Sequence, residues 1–297
     1  MGVSIDISVF RVRSLDKAFN EISWVVKETM EDLLDYTFEV LRSESPSGPF
    51  DSISVPFKDR YVFVDNALYI GDRWRKFYYQ LKVTHVPTSE SQLFGPVALE
   101  PEADLIAVEL RRHMQLLFNE YAGRRCWVLP ARTFGQRCEC WSVTMGRRTR
   151  SNCLLCYDTG FVRGYLSPIE IWMQFDPSPK TEQTTNVGNQ QQSNTTARLG
   201  HYPQLKPRDI VIESENRRWR VVSVTNTEHL RAPIHQEVQL HEIPVTDIEF
   251  AIALKMDQAL RYLDFEPSRN YTMPTNFDNF LERELPGIFA LYEKKKA

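Results

Sequence analysis

The sequence predicts an α+β chain, mainly β: a small β-barrel or sandwich core with a long N-terminal helix, a four-cysteine module, and an extended loop and tail. Three observations carry that expectation. Short β-branched and aromatic runs recur from residue 50 onward, as in paired strands. An apolar stripe at three- and four-residue steps fills residues 14–42, as in an amphipathic helix. Four of the five cysteines fall within nineteen residues, from Cys138 to Cys156.

The chain has 297 residues, 42% of them hydrophobic, which suffices for a buried core in one large domain or several small ones. No run of about 18 uncharged apolar residues occurs, so no membrane span is expected. The start, Met1 to Asp6, shows no basic-then-apolar leader, and Asp6 breaks the acylation pattern. Folding in a reducing cytoplasm is the corresponding expectation, and there clustered cysteines favour a metal over disulfides.

Residues 1–49 read as an N-terminal helical arm. Ser14 is a candidate cap, and Leu15, Phe19, Ile22, Val26, Met30, Leu33, Leu34, Phe38 and Leu41 form the stripe. The opposite face is acidic, with Asp16, Glu21, Glu28, Glu31, Asp32, Asp35 and Glu39. At 1.5 Å per residue such a helix spans roughly 40 Å, long enough to lie along a β-domain or a neighbouring subunit. Residues 50–125 read as β strands followed by a second helix from about Pro101 to Tyr121, stopped at Gly123. His113 borders its apolar face, a core or boundary position.

Residues 169–250 read as barrel strands: 169–175, 210–212, 218–224 and 234–241. In the last, Ile234, Val238 and Leu240 share one face and His235, Glu237, Gln239 and His241 the other, which weighs against these histidines as metal ligands. Residues 177–207 are polar and low in complexity and read as a long loop. Residues 251–297 form a C-terminal arm rich in proline and aromatics.

The chemistry is concentrated in residues 126–168. Cys138-Glu139-Cys140 and Cys153-Leu154-Leu155-Cys156 are two thiol pairs separated by a hairpin-sized stretch. Two such pairs suit a tetrahedral Zn²⁺, giving a zinc-ribbon-like module of four cysteines whose closed coordination leaves no position for substrate. Disulfides are a second reading, and they require cross-pairing because Cys138 and Cys140 are too close in sequence to bond each other without strain. Four free structural thiols are a third. Cys126, beside Trp127, is a substitute ligand or, more commonly for such a position, a core residue.

Residues 124–163 carry eight arginines against Glu139 and Asp158, while the whole chain is −3. Arg147, Arg148, Arg150, Trp141, Tyr157 and Phe161 form a candidate partner-binding face: a docking site for an acidic protein surface or for phosphate. A phosphate-binding glycine loop, HExxH and GxSxG are all missing, so no enzyme is expected.

Two stretches carry a family resemblance. Gly135–Trp141 with Arg150–Tyr165 resembles a cysteine module of tailed-bacteriophage structural proteins, with C-x-C here in place of C-x-x-C and Arg163 where a glycine is common. Leu205–Ile212 with Arg217–Val224 is similar to strands of the small β-barrels of head-closure and neck proteins. The resemblance implies a non-catalytic subunit of the virion neck, or head-to-tail connector, that joins the capsid portal vertex to the tail. The resemblance also implies a homo-oligomeric ring assembled in the host cytoplasm and carried in the virion, in which the Zn²⁺ expected from the thiol spacing on Cys138, Cys140, Cys153 and Cys156 would be structural. Its partners would be portal or connector proteins, tail-terminator or collar proteins, and DNA passing through the channel. A zinc-ribbon nucleic-acid-binding protein is the alternative, supported by the basic segment with interleaved aromatics.

Overall fold

A computed structural model describes residues 5–16, 19–65, 76–99, 104–176, 181–185, 188–192, 194–213, 215–230 and 232–253. The expected C-terminal arm beyond residue 253, residues 66–75 of the expected β region and Pro101 at the expected helix start lie outside these residues.

The N-terminal third is a β-sandwich. Strands β1 (Ile7–Asp16), β2 (Phe19–Val26) and β5 (Val62–Asp65) form one sheet in the order β1-β2-β5. The second sheet, in the order β4-β3-β6-β7, is built from β3 (Tyr36–Ser43), β4 (Asp51–Ser52), β6 (Tyr78–His85) and β7 (Glu90–Ala98). One core joins them: Val12, Ile22, Trp24 and Val26 from the first sheet meet Phe38, Val40, Leu81 and Val83 from the second. The Trp24 and Phe38 rings lie 5.6 Å apart across it.

The long N-terminal helix is therefore overturned: residues 14–42 run through three strands. The stripe at helical spacing leaves out Trp24, Tyr36 and Val40, all buried. With them restored, Ile22-Trp24-Val26 and Tyr36-Phe38-Val40 show the two-residue period of strands with one buried face. Met30 and Leu34, members of that stripe, are exposed on the connection between β2 and β3.

Asp65 is buried within the sandwich, where it receives hydrogen bonds from Arg42 (2.7 Å) and the Tyr79 hydroxyl (3.0 Å). Asn20 donates to the same hydroxyl at 3.0 Å, so these polar groups enter the core with partners.

A single α-helix is found among the described residues, α1 (Leu105–Leu116), continued by a π turn over Leu117–Ala122. This is the second helix expected from the sequence, capped by Asp104, whose carboxylate accepts from the Ile106 N–H. Gly123 ends it by close approach rather than by a left-handed backbone: its φ is −88°, and a Cβ there would sit 2.2 Å from the Phe118 carbonyl oxygen. His113 is exposed on α1, not at a core boundary. Arg111, buried, donates to the carbonyls of Pro233 (2.7 Å) and Leu15 (3.2 Å) and so ties the helix to both β units.

The second β unit is a closed six-stranded antiparallel barrel. Its strands are β8 (Arg124–Leu129), β11 (Ile169–Phe175), β14 (Asn194–Gly200), β15 (Ile210–Glu213), β16 (Arg218–His229) and β17 (Ala232–Glu242), in the order β11-β14-β17-β16-β15-β8. Between β8 and β11 lie β9 (Trp141–Ser142) and β10 (Arg147–Arg148), a small hairpin of the cysteine module. The barrel is filled by Val128, Ile171, Met173, Leu199, Val211, Trp219, Val221, Val238 and Leu240, with Cys126 among them. The expected strands at 169–175, 210–212, 218–224 and 234–241 are all present.

The expected long loop at 177–207 is corrected. It contains a hairpin of β12 (Thr181–Thr185) and β13 (Gly188–Gln192), then the barrel strand β14. The inward residues of β14 are Thr195, Ala197 and Leu199, whose first two members are too weakly apolar to mark a strand by hydropathy.

Candidate metal centre

Two antiparallel chain segments make the stem of the cysteine module. The Arg132 N–H donates to Gly164 O (2.8 Å), Leu166 N–H to Pro130 O (2.9 Å) and Val162 N–H to Gln136 O (3.0 Å). The stem closes with Cys138 N–H donating to Gly160 O at 3.0 Å, which places the first thiol pair beside the second.

Each pair sits on its own turn. After Cys138, Trp141 N–H returns to the Cys138 carbonyl (2.9 Å), and the β9–β10 hairpin comes back with Thr149 N–H on Cys140 O (2.8 Å). After Cys153, Tyr157 N–H donates to Cys153 O (2.8 Å) and Thr159 N–H to Cys156 O (2.9 Å). Gly164 (φ +63°) is required here, because a Cβ would lie 2.5 Å from the Cys156 carbonyl oxygen.

The four sulfurs of Cys138, Cys140, Cys153 and Cys156 all lie within 4.8 Å of one another. Cys138 Sγ is 3.7 Å from Cys153 Sγ, and Cys140 Sγ is 3.4 Å from Cys156 Sγ. These separations are well beyond the bonded distance of about 2 Å, and all five cysteines are free thiols. One metal ion is within reach of all four sulfurs.

The electrostatics suit a cation. Burial, reinforced by the neighbouring Cys156 and Cys138 sulfurs, pushes the Cys140 thiol up. Cys138 is raised too, first by burial. At Cys153 burial acts in the same direction, but hydrogen bonds from the Leu155 and Cys156 backbone N–H groups and from the Cys156 and Cys138 side chains together outweigh it and bring the thiol down to about 7. A positive ion at the centre of the cluster would reverse the repulsion and hold all four as thiolates.

Cys126 lies elsewhere, in the barrel interior, fully buried, its thiol pushed up by burial and by Glu213. It is a core residue and takes no part in the cluster, and it lacks the thiolate character of a nucleophile.

The partner-binding candidates divide. Arg147 and Arg150 are exposed and carry no ion pair among the described residues. Arg148 pairs with Asp158. Trp141 and Phe161 flank the Arg137 guanidinium, at 4.2 and 4.1 Å from their ring centroids, and Phe161 is buried. Tyr157 packs beside the Leu129–Ile210 cluster of the barrel. Phe161 therefore has no free face on which a base could stack.

The basic excess of residues 124–163 is largely spent inside the molecule. Arg132 pairs with Asp59 (2.8 Å), Arg163 with Asp59 (2.9 Å) and Asp32 (3.2 Å), Arg137 with Glu28, and Arg125 with Glu170. Three of these arginines reach the sandwich. On the barrel side, Arg208 donates to the Asp158 carbonyl (2.7 Å) and the Ala131 N–H donates to Asp209 (2.8 Å). The module is thus a clasp between sandwich and barrel. Sequence reasoning missed Asp32 and Asp59 as site residues because Arg163 lies 131 and 104 positions away from them, beyond any local pattern.

No helix among the described residues is long and apolar enough to cross a membrane. No protein-family model matches the chain, and no curated protein matches it.

Proposed function

We propose that this chain is a non-catalytic structural subunit of a tailed-phage neck, a component of the head-to-tail connector ring, with Zn²⁺ on Cys138, Cys140, Cys153 and Cys156. The all-thiolate donor set supports zinc: with Zn–S near 2.3 Å, a tetrahedral site places sulfurs about 3.8 Å apart. Two of the sulfur pairs, at 3.7 and 3.4 Å, are near that spacing, and all four sulfurs lie within 4.8 Å of one another. Four thiolates saturate the ion, so the metal's contribution is to folding rather than to a reaction.

One observation carries the neck assignment. The stretch that resembles a cysteine module of tailed-phage structural proteins and the stretch similar to neck-protein barrels are separated in sequence but are built against each other. Arg208, between the barrel strands β14 and β15, donates to Asp158 in the cysteine module. Asp209, next to it, accepts from Ala131 at the foot of the module stem and from the Lys206 N–H (2.7 Å). They form one unit, as two parts of a single ring-building module should.

The nucleic-acid alternative has less support, because most of the arginines and both of the Arg137-flanking aromatics are engaged within the chain. The test is the protein composition of purified tailed particles from cells expressing the chain, followed by cryo-electron microscopy of the neck. Density for this barrel and module in a ring between portal and tail is expected. Particles that lack the chain contradict the proposal.

A further inference from the structure

The cysteine module ends in a surface that the described residues leave exposed. Val143 and Met145 on the β9–β10 turn, and Leu154 and Leu155 on the second knuckle, are each at least 60% exposed. Four large apolar side chains this exposed on so small a module are unusual for a free surface. The sulfurs that anchor both turns lie within 4.8 Å of one another, and Val143 is three residues from Cys140 while Leu154 adjoins Cys153. The two turns are therefore within about 25 Å of each other even at full chain extension. Exposed Arg147 and Arg150 flank them, and no acidic residue occurs between Trp141 and Tyr157.

A second surface has the opposite sign. The connection between β2 and β3 carries Glu28, Glu31, Asp32 and Asp35 against one basic residue, Lys27, which pairs with Asp6, and Met30 is 76% exposed in its midst. Leu34 is exposed beside Asp35. This loop already binds the stem of its own module: Gln136 donates to the Met30 carbonyl at 3.3 Å, and Arg137 and Arg163 pair with Glu28 and Asp32. The tip of that same module stays exposed, so it does not cover the loop.

We propose that the apolar, basic tip of one copy (Val143, Met145, Arg147, Arg150, Leu154 and Leu155) docks on the apolar, acidic 28–35 loop of a second copy. The tip carries exposed hydrophobic side chains beside Arg147 and Arg150, and the loop keeps exposed hydrophobic side chains and an acidic excess over its pairs with Arg137 and Arg163, so the net signs are complementary. Because tip and loop are different surfaces, the contact is head-to-tail and propagates from copy to copy, closing into a ring where the rotation allows. The proposal rests on the ring reading above and assigns its contact surfaces.

Charge reversal tests it by sedimentation velocity and native mass spectrometry on the full chain. The wild-type chain is expected to self-associate at low salt and to dissociate as salt rises. A tip variant, Arg147→Glu with Arg150→Glu, and a loop variant, Met30→Lys with Asp35→Lys, should each weaken association about tenfold or more. All four positions are exposed, and unchanged thermal midpoints and metal content check the fold. Leu154→Asp provides an independent tip variant should the double substitution unfold. Mixing tip and loop variants should restore association, since each tip then meets a loop of opposite charge. A wild-type chain that stays monomeric at every concentration and salt, variants that associate like wild type, or a mixture that fails to recover would each overturn the proposal. Charge-dependent association by a chain missing from particles would leave the contact standing and remove the neck role. Presence in particles without charge dependence would do the reverse.

Discussion

Arg132 donates to Asp59 at 2.8 Å across 73 residues of sequence, and its own side chain is almost wholly buried. The pair places a cation from the foot of the cysteine module against the β-sandwich. Arg163 reaches the same carboxylate from the other side of the stem at 2.9 Å. Asp59→Ala should therefore leave the Arg132 charge buried without a partner, at a cost of roughly 3–5 kcal/mol. Differential scanning calorimetry should show the midpoint falling by about 10 °C. Substituting exposed Arg150, which carries no such contact, should change it little.

Metal and clasp are predicted to be coupled. Cys153→Ser removes one of four ligands, and the module's short stem holds few apolar residues to replace the metal's contribution. Chelation of the wild type and the Cys153→Ser substitution should produce the same loss: faster proteolysis within residues 130–166, with the barrel strands still protected. Cys126→Ala should instead leave metal content unchanged and lower stability by about 1–3 kcal/mol, the effect of a truncated core side chain. Equal metal loss in both variants would contradict the assignment of ligands.

Gln236 occupies an inward position of β17 and is fully buried in a barrel otherwise filled by apolar side chains. It donates to the carbonyls of Gly200 (2.9 Å) and Pro203 (2.7 Å) and accepts from the Leu205 N–H (2.9 Å), so one side chain fastens the chain between β14 and β15. Gln236→Leu should cost about 3 kcal/mol, because three backbone groups lose their partner at once. Gln236→Glu should cost more, since it buries a charge and removes both donors. Urea midpoints of the two variants check the ranking.

Acid should weaken the fold through His201. Burial, with Arg111 and Arg13 nearby, lowers its pKa to about 3. An unfolded histidine takes a proton near 6.5, so the unfolded state binds more protons between these values and stability falls as the pH drops through that window. Asp209 acts in the opposite direction. Burial raises its pKa to about 6 despite the Ala131 and Lys206 N–H groups, so its contribution is lost as pH rises from the ordinary carboxylate range to about 6. Comparing wild type with His201→Leu separates the two, since Asp209 is common to both. The variant's stability should fall less between about pH 7 and about pH 4.5 than the wild type's.

Four of the six barrel strands and the cysteine cluster were legible in the sequence, as were the β runs at 62–65 and 78–85, whereas β8, β14 and the strands of residues 7–43 were not. Strands 169–175 and 234–241 alternate in hydropathy because one face lines a core, and the cysteine spacing is a local pattern that directly specifies two turns. Residues 14–42 misled because Phe19, Ile22 and Val26 fit helical spacing, while Trp24 and Tyr36, which belong to the buried set, break it. Gln236 was invisible for a related reason: a polar side chain on an apolar face signals nothing until the backbone groups it satisfies are known. Asp59 and Asp32 could not be matched to Arg132 and Arg163 from sequence, since ion pairs between distant segments leave no spacing signature.

Whether those sulfurs surround a single ion is best settled by zinc K-edge absorption spectroscopy on chain purified without added metal. One zinc per chain, with only sulfur neighbours at about 2.3 Å, is the outcome expected of the clasp. Nitrogen or oxygen bound to the ion, or a metal-free chain whose thiols appear only after reduction, would contradict it.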